Sequence, residues 1–295
     1  MLNIPTRWDA WAATRDARAV AAAEARIARA LRLLDPVVAA AGGTVLSRYD
    51  TVLAGALLHV PASRIAAIER TLRAAPDVAA IPRAPIATVS VSTVSISAVS
   101  VSKVSISNAA PPANEPHRVH APPGQGTTIA VLDTGVDYTH LAFGGAGTLL
   151  AFAAAGLAPT RIDDVWDGHP LFPTARVVGG IDVAGEGYAP NCTATAEVQG
   201  LCSRVPEPDA DPLDSHGHGT HVSGIAAGTA TAFVPAGVAP GADVLAVKVF
   251  GAGGQTDLLV DGLEWVLEAN LDAAAAAARK VSRRTYGPSN VASFA

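Results

Sequence analysis

Apolar residues follow two rhythms along this chain, and the change of rhythm divides it. Val20, Ile27, Leu31, Leu34 and Val38 succeed one another at spacings of seven, four, three and four, one stripe of a helix. The stripe predicts a helix over residues 13–41, kinked or split at Pro36 and ended by Gly42-Gly43. Residues 44–49 and 52–60 then read as strands. Pro61 opens a second helix with Ile65, Ile68 and Leu72 on one face, stopped by Pro76, and residues 78–81 read as a short strand. This order predicts a small α+β domain over residues 1–85, its helices covering one face of an antiparallel sheet. It carries no histidine cluster and no Gly-rich phosphate loop, and His59 reads as a packing residue.

Residues 89–108 repeat as VSVST, VSISA, VSVSK and VSISN. Valine and serine alternate within each unit, but the five-residue period moves the apolar face to the opposite side in the next unit. One long strand cannot bury that pattern. The repeat and the flanking Pro111-Pro112 and Pro122-Pro123 therefore read as a low-complexity linker over residues 86–123, with a tendency to β-aggregate. Beyond it, residues 127–132, 176–183 and 242–250 are apolar runs of strand length, while residues 142–211 are otherwise irregular. Helical patterns follow at residues 214–227 and from Leu258 to Leu267. Strand, helix, strand, helix predicts a doubly wound parallel α/β sheet in residues 124–272.

Composition narrows the class. The net charge of −5 and the absence of a basic patch argue against a nucleic-acid binder. No run is long and apolar enough to span a bilayer, and the charged first thirty residues hold no apolar signal-peptide core. The two cysteines, Cys192 and Cys202, are too few for a four-ligand zinc site. Their short separation fits a disulfide-closed loop, against the alternative of two free thiols. Asn191-Cys192-Thr193 is formally a glycosylation sequon.

Two stretches carry candidate chemistry. Asp133-Thr134-Gly135 ends the first apolar strand of the second region, where α/β folds place functional groups; a turn-forming Asp is the plain alternative. Asp214 to Ile225 reads D-S-H-G-H-G-T-H-V-S-G-I and packs His216, His218 and His221 between glycines. By itself the stretch fits a metal cluster, a catalytic base or an ordinary loop.

Asp133-Thr134-Gly135-Val136-Asp137 followed by Gly217-His218-Gly219-Thr220-His221-Val222-Ser223-Gly224 closely resembles the subtilisin-like serine proteases, the subtilases. Gly237-Val238-Ala239-Pro240 and the Ala246-Val247-Lys248-Val249 strand extend the resemblance, which covers residues 127–272. The chain order Asp, His, Ser of the subtilisin triad is a standard case of triad geometry. The resemblance implies a subtilisin-like α/β fold preceded by a ferredoxin-like propeptide domain that acts as intramolecular chaperone and inhibitor. It implies serine-type endopeptidase activity on protein or peptide substrates, with Asp133 orienting the imidazole of His218 as general base. His216 is then expected to face solvent and His221 to be packed and hydrogen-bonded. The Asp211-Pro212-Leu213-Asp214 run resembles the larger secreted subtilases, which implies an extracellular protein. No cofactor is required, and Ala142 stands where relatives carry a calcium-ligating Asp, so no structural calcium site is readable.

The departures shape the expectation as much as the matches. The family needs a serine in a Gly-Thr-Ser context and an oxyanion-hole asparagine; neither motif occurs in these 295 residues. Ser223, Ser289 and Ser293 lack nucleophile context, and the poly-Ala run from Ala273 replaces the expected strand. Residues 273–295 thus read as a divergent tail after truncation or a shift of frame near Asp272, which makes the sheet incomplete and the chain inactive by itself. Two alternatives stand beside this reading. One is a non-enzymatic protease inhibitor acting through residues 1–85. The other is a metal hydrolase built on His216, His218, His221 and Asp214.

Overall fold

The computed structural model describes residues 1–75, 77–84, 86–88, 122–157, 171–232 and 234–268. The Val/Ser repeat and the tail from Ala273 lie outside the described residues.

Two helices open the chain where the apolar stripe predicts one. α1 (Arg7–Thr14) starts on a capping box in which Thr6 accepts from the Asp9 amide and Asp9 accepts from the Thr6 amide. It ends at Arg15, whose φ of 54° turns the chain before Asp16 caps α2 (Ala17–Ala40). α2 runs unbroken through Pro36, because Ile27, Leu31 and Val38 are buried on both sides of it and packing holds the axis. β1 (Thr44–Tyr49) pairs antiparallel with β2 (Gly55–His59), and α3 (Ile65–Arg73) follows a short 3₁₀ turn. β2 begins three residues later than its apolar run suggests, since the Thr51, Val52 and Leu53 amides turn toward Glu264 instead. Residues 78–81 form no strand; Val78 makes a single bridge to Leu2. Val38, Ile68 and Leu72 pack with Val45, Leu58 and Val60, placing α2 and α3 over the hairpin.

The second region is built on a parallel sheet of β4 (Thr128–Asp133), β5 (Val177–Asp182) and β6 (Asp243–Lys248), in the order β4-β6-β5. β3 (Ala87–Thr88), from the start of the stretch read as linker, pairs antiparallel with β7 (Gln255–Thr256). The parallel register sets Asp133, Lys248 and Asp182 side by side at the carboxyl ends of the three strands. Val131, Val244 and Ala246 face a core completed by Tyr138, Phe143, Leu213 and Ala227. The stretch read as irregular contains α4 (Leu149–Gly156) and α5 (Ala194–Val198), capped by Thr148 and Thr193. Those two threonines are the local signals that mark the helices. α6 (His218–Ala227) packs against β4, and residues 259–268 form α7. Cys192 and Cys202 are disulfide-bonded across a Cα–Cα distance of 5.9 Å, closing the loop that contains α5.

α7 joins the two regions. Asp261, Glu264 and Glu268 recur at spacings of three and four and share one helix face. Asp261 accepts from the Tyr49 hydroxyl at 2.9 Å, and Glu264 accepts from the amides of Thr51 (2.8 Å) and Val52 (2.9 Å). Glu268 pairs with Arg7 at 2.8 Å.

Candidate active site

Asp133 reaches the site because β4 ends there. The residue is 7 % exposed, and its Oδ1 lies 2.7 Å from Nδ1 of His218, the first residue of α6. The same Oδ1 accepts from the Thr134 amide at 2.7 Å, which fixes the carboxylate plane. A protonated Nδ1 donates to Asp133, leaving Nε2 as the basic atom. The His218 side chain is about a quarter exposed, so the base meets solvent while its carboxylate partner does not.

The start of α6 is held by an unusual cap. Gly217 occupies the N-cap position at φ 93°, a left-handed conformation that glycine adopts without strain, and offers no side chain. Asp214 takes over the role. Its carboxylate accepts from the Thr134 hydroxyl (2.8 Å), the His216 and Gly217 amides (2.9 and 2.8 Å), and the Thr220 amide and hydroxyl (2.8 and 2.6 Å). Thr134 in turn accepts from the Gly219 amide at 2.8 Å. A buried carboxylate at a helix N-terminus also complements the helix dipole. Through these bonds Asp214 ties the loop after β4 to the first turn of α6, and so fixes Asp133 relative to His218. Gly219 permits the close approach: a Cβ there would stand 2.2 Å from the Gly135 carbonyl oxygen.

The other histidines depart from expectation. His221 is exposed on α6 rather than packed. His216 is half-buried rather than solvent-facing, with its ring edge-on to His218 at 6.4 Å between centroids. The turn at Gly217 swings His216 inward, whereas the helical spacing puts His221 on the outer face. Among the described residues no group of three or more His, Cys, Asp or Glu side chains is arranged to hold a metal, which disfavours the His-cluster hydrolase. Ser223 is fully buried within α6, so its hydroxyl is closed to substrate. Ser289 and Ser293 lie outside the described residues. Ala142 is a buried residue of a 3₁₀ turn.

Next to the dyad stands Lys248, which spacing alone does not mark as a chemical group. It is 1 % exposed and pairs with Asp182 at 3.3 Å and closely with Glu186, while donating to the Leu213 carbonyl at 3.2 Å. Burial pulls its pKa down, but Asp182 and Glu186 outweigh burial and hold it above the ordinary lysine value. Burial pushes the Asp182 carboxyl up to about 6, against the opposing pull of Lys248 and two backbone amides. Lys248 thus anchors the carbonyl that precedes Asp214.

A buried carboxylate bonded to a partly exposed imidazole can orient a general base and stabilise its charged form. Comparison with known proteins agrees with that chemistry. A model of the subtilase family matches residues 124–290, more than half of the chain and on both sides of Asp272. Subtilisin E of Bacillus subtilis (strain 168) is 38 % identical over 77 residues, which are 25 % of this chain and 20 % of that protein. Subtilisin Savinase of Lederbergia lenta is 44 % identical over 71 residues, 23 % of this chain and 26 % of that protein. The chain thus spans about a fifth to a quarter of the length of these curated relatives.

Proposed function

The chain belongs to the subtilase family, and from that premise we propose that it carries the Asp133–His218 half of a serine endopeptidase triad together with its propeptide. The observation that carries this reading is the 2.7 Å contact between Asp133 and His218 at the carboxyl end of a parallel strand. In the reaction, His218 Nε2 takes the proton of a serine hydroxyl as it attacks a peptide carbonyl, then returns it to the leaving amine. Asp133 holds the tautomer and stabilises the imidazolium. The expected test is a downfield imidazole N–H proton resonance that disappears in Asp133→Asn; no such resonance between pH 5 and 8 in the unmodified chain would remove the dyad.

No Gly-Thr-Ser nucleophile motif occurs in these 295 residues, so the chain by itself is proposed to be inactive. Assayed against a chromogenic tetrapeptide, it is expected to give no turnover above the buffer blank. Turnover that His218→Ala abolishes would contradict this. The proposed substrates are proteins and peptides, with no cofactor in the reaction. Secretion fits the disulfide, since such bonds persist in oxidising compartments. No described helix is long and apolar enough to cross a membrane.

Residues 1–85 are proposed to act as the propeptide, docked on α7 by hydrogen bonds to Asp261, Glu264 and Glu268, with β3 at the start of the linker running along β7. β-Augmentation of this kind is a common way to occupy a peptide groove. Glu264→Ala is expected to raise the hydrogen-exchange rates of the Thr51, Val52 and Leu53 amides about tenfold or more, by local opening. Unchanged rates would argue against docking through this carboxylate.

A further inference from the structure

α2 carries two faces of opposite character. Ile27, Leu31 and Val38 are buried on one of them. At about 100° per residue, Arg18, Arg26, Arg29 and Arg32 fall on the far side of the helix, within an arc of about 120°. All four arginines are exposed. The same arc holds exposed Ala22, Ala25, Leu33 and Pro36, and it contains no acid and no neutral hydrogen-bonding side chain.

The acids of this helix are engaged elsewhere. Asp16 caps its start, accepting from the Arg18 amide at 2.9 Å, and Asp35 pairs with Arg48 at 2.7 Å. Glu24 lies off the arginine arc, where its charge acts on Arg7. Among the described residues none of the four arginines is paired with a carboxylate. Arg26, Arg29 and Arg32 follow one another at spacings of three, and like charges so placed weaken a helix. α3 lies with α2 over the same hairpin and adds exposed Arg64, Arg70 and Arg73 against one acid, Glu69. Residues 1–88 hold eleven arginines and no lysine against seven acids, an excess that the net charge of −5 conceals.

We propose that the arginine face of α2 is a docking surface for an anionic lipid bilayer. Guanidinium groups bind phosphate oxygens in pairs, and lipid headgroups present such phosphates in a plane. Arg18 and Arg32 are about 21 Å apart along one straight ridge, at 1.5 Å per residue, so a flat partner meets all four arginines together. Leu33, 65 % exposed, sits between Arg26 and Arg29 around the helix axis. An apolar side chain there gains nothing from a phosphate backbone in water, but it can enter the acyl boundary beneath headgroups. A nucleic-acid face, by contrast, brings Ser, Thr, Asn or Gln to phosphates beside its arginines, and this arc has none. The residues after Thr88 hold ten Lys and Arg against nineteen acids, so an anionic surface repels them and the N-terminal module leads the contact.

The test measures partition of the whole chain onto vesicles by flotation in about 20 mM salt. Binding is expected to phosphatidylcholine vesicles carrying about 30 % phosphatidylglycerol and not to phosphatidylcholine alone, and to fall at least tenfold in about 0.5 M salt. Each arginine at an anionic surface contributes about fivefold in affinity, so Arg26→Gln/Arg29→Gln/Arg32→Gln is expected to lower the partition coefficient about a hundredfold. The corresponding triple lysine variant keeps the charge and is expected to bind within about threefold of the native chain. Absence of binding to the anionic vesicles, or equal binding to both vesicle types, overturns the proposal. Undiminished binding of the glutamine variant, or a lysine variant as weak as the glutamine one, overturns the role of this charged face. Binding to duplex DNA without binding to vesicles overturns the lipid partner and assigns the arginines to nucleic acid.

Discussion

Asp214→Ala is expected to destabilise the second region by about 4 kcal/mol and to erase the His218 imidazole resonance. The carboxylate is buried and accepts five hydrogen bonds, three from backbone amides at the start of α6 and two from threonine hydroxyls. Each buried donor left without a partner costs about 1–3 kcal/mol, and these donors share one site, so their losses do not add in full. Asp214→Asn keeps one acceptor oxygen but turns an amide toward donors, so it is expected to fall between alanine and the native residue. Urea denaturation gives the stability and proton NMR gives the dyad. A stable Asp214→Ala variant with the resonance intact would show that Asp133 and His218 are aligned by the strand and helix alone.

Lys248→Met is expected to cost about 3–5 kcal/mol, the usual consequence of leaving one member of a buried ion pair uncompensated. Methionine can replace the stem but neither the pairing with Asp182 and Glu186 nor the bond to the Leu213 carbonyl. The loss should depend on pH. Asp182 is already raised to about 6 by burial, and removing its cation raises it further. A raised carboxyl contributes stability below its unfolded value and loses it as pH rises through its folded value, so the variant is expected to be weaker at pH 8 than at pH 5 relative to the native chain. Equal denaturation midpoints for the two proteins at both pH values would count against a buried, charged Lys248.

The contact between Asp133 and His218 is legible in the sequence only through the resemblance of their two motifs to the subtilases; taken alone, the histidine stretch fits a metal cluster or an ordinary loop as well. Asp133 ends an apolar strand and His218 lies in a glycine-rich helix start, and each motif is fixed by what its own backbone must do. The three strands of the parallel sheet are legible without that resemblance, since buried strands are nearly continuous apolar runs. Residues 7–14 and 149–156 escape such a reading because their helices rest on caps and packing rather than on a long apolar stripe. Pro36 misleads in the other direction: propensity favours a break, but buried side chains on either side keep α2 whole.

What the sequence determined by itself was the class of the sheet, the order of Asp133 before His218, and the pairing partners available to two cysteines. Tertiary structure decided the rest, because it depends on groups far apart in the chain. It turned His216 inward and left His221 exposed, and it gave Asp214 the capping role that Gly217 cannot fill. It lined up Asp133, Lys248 and Asp182 through strand register, and it set Thr51–Leu53 against Glu264, more than two hundred residues away. Local motifs report what a backbone needs from its neighbours; a buried charge or an amide without a partner is settled only by what the fold brings beside it.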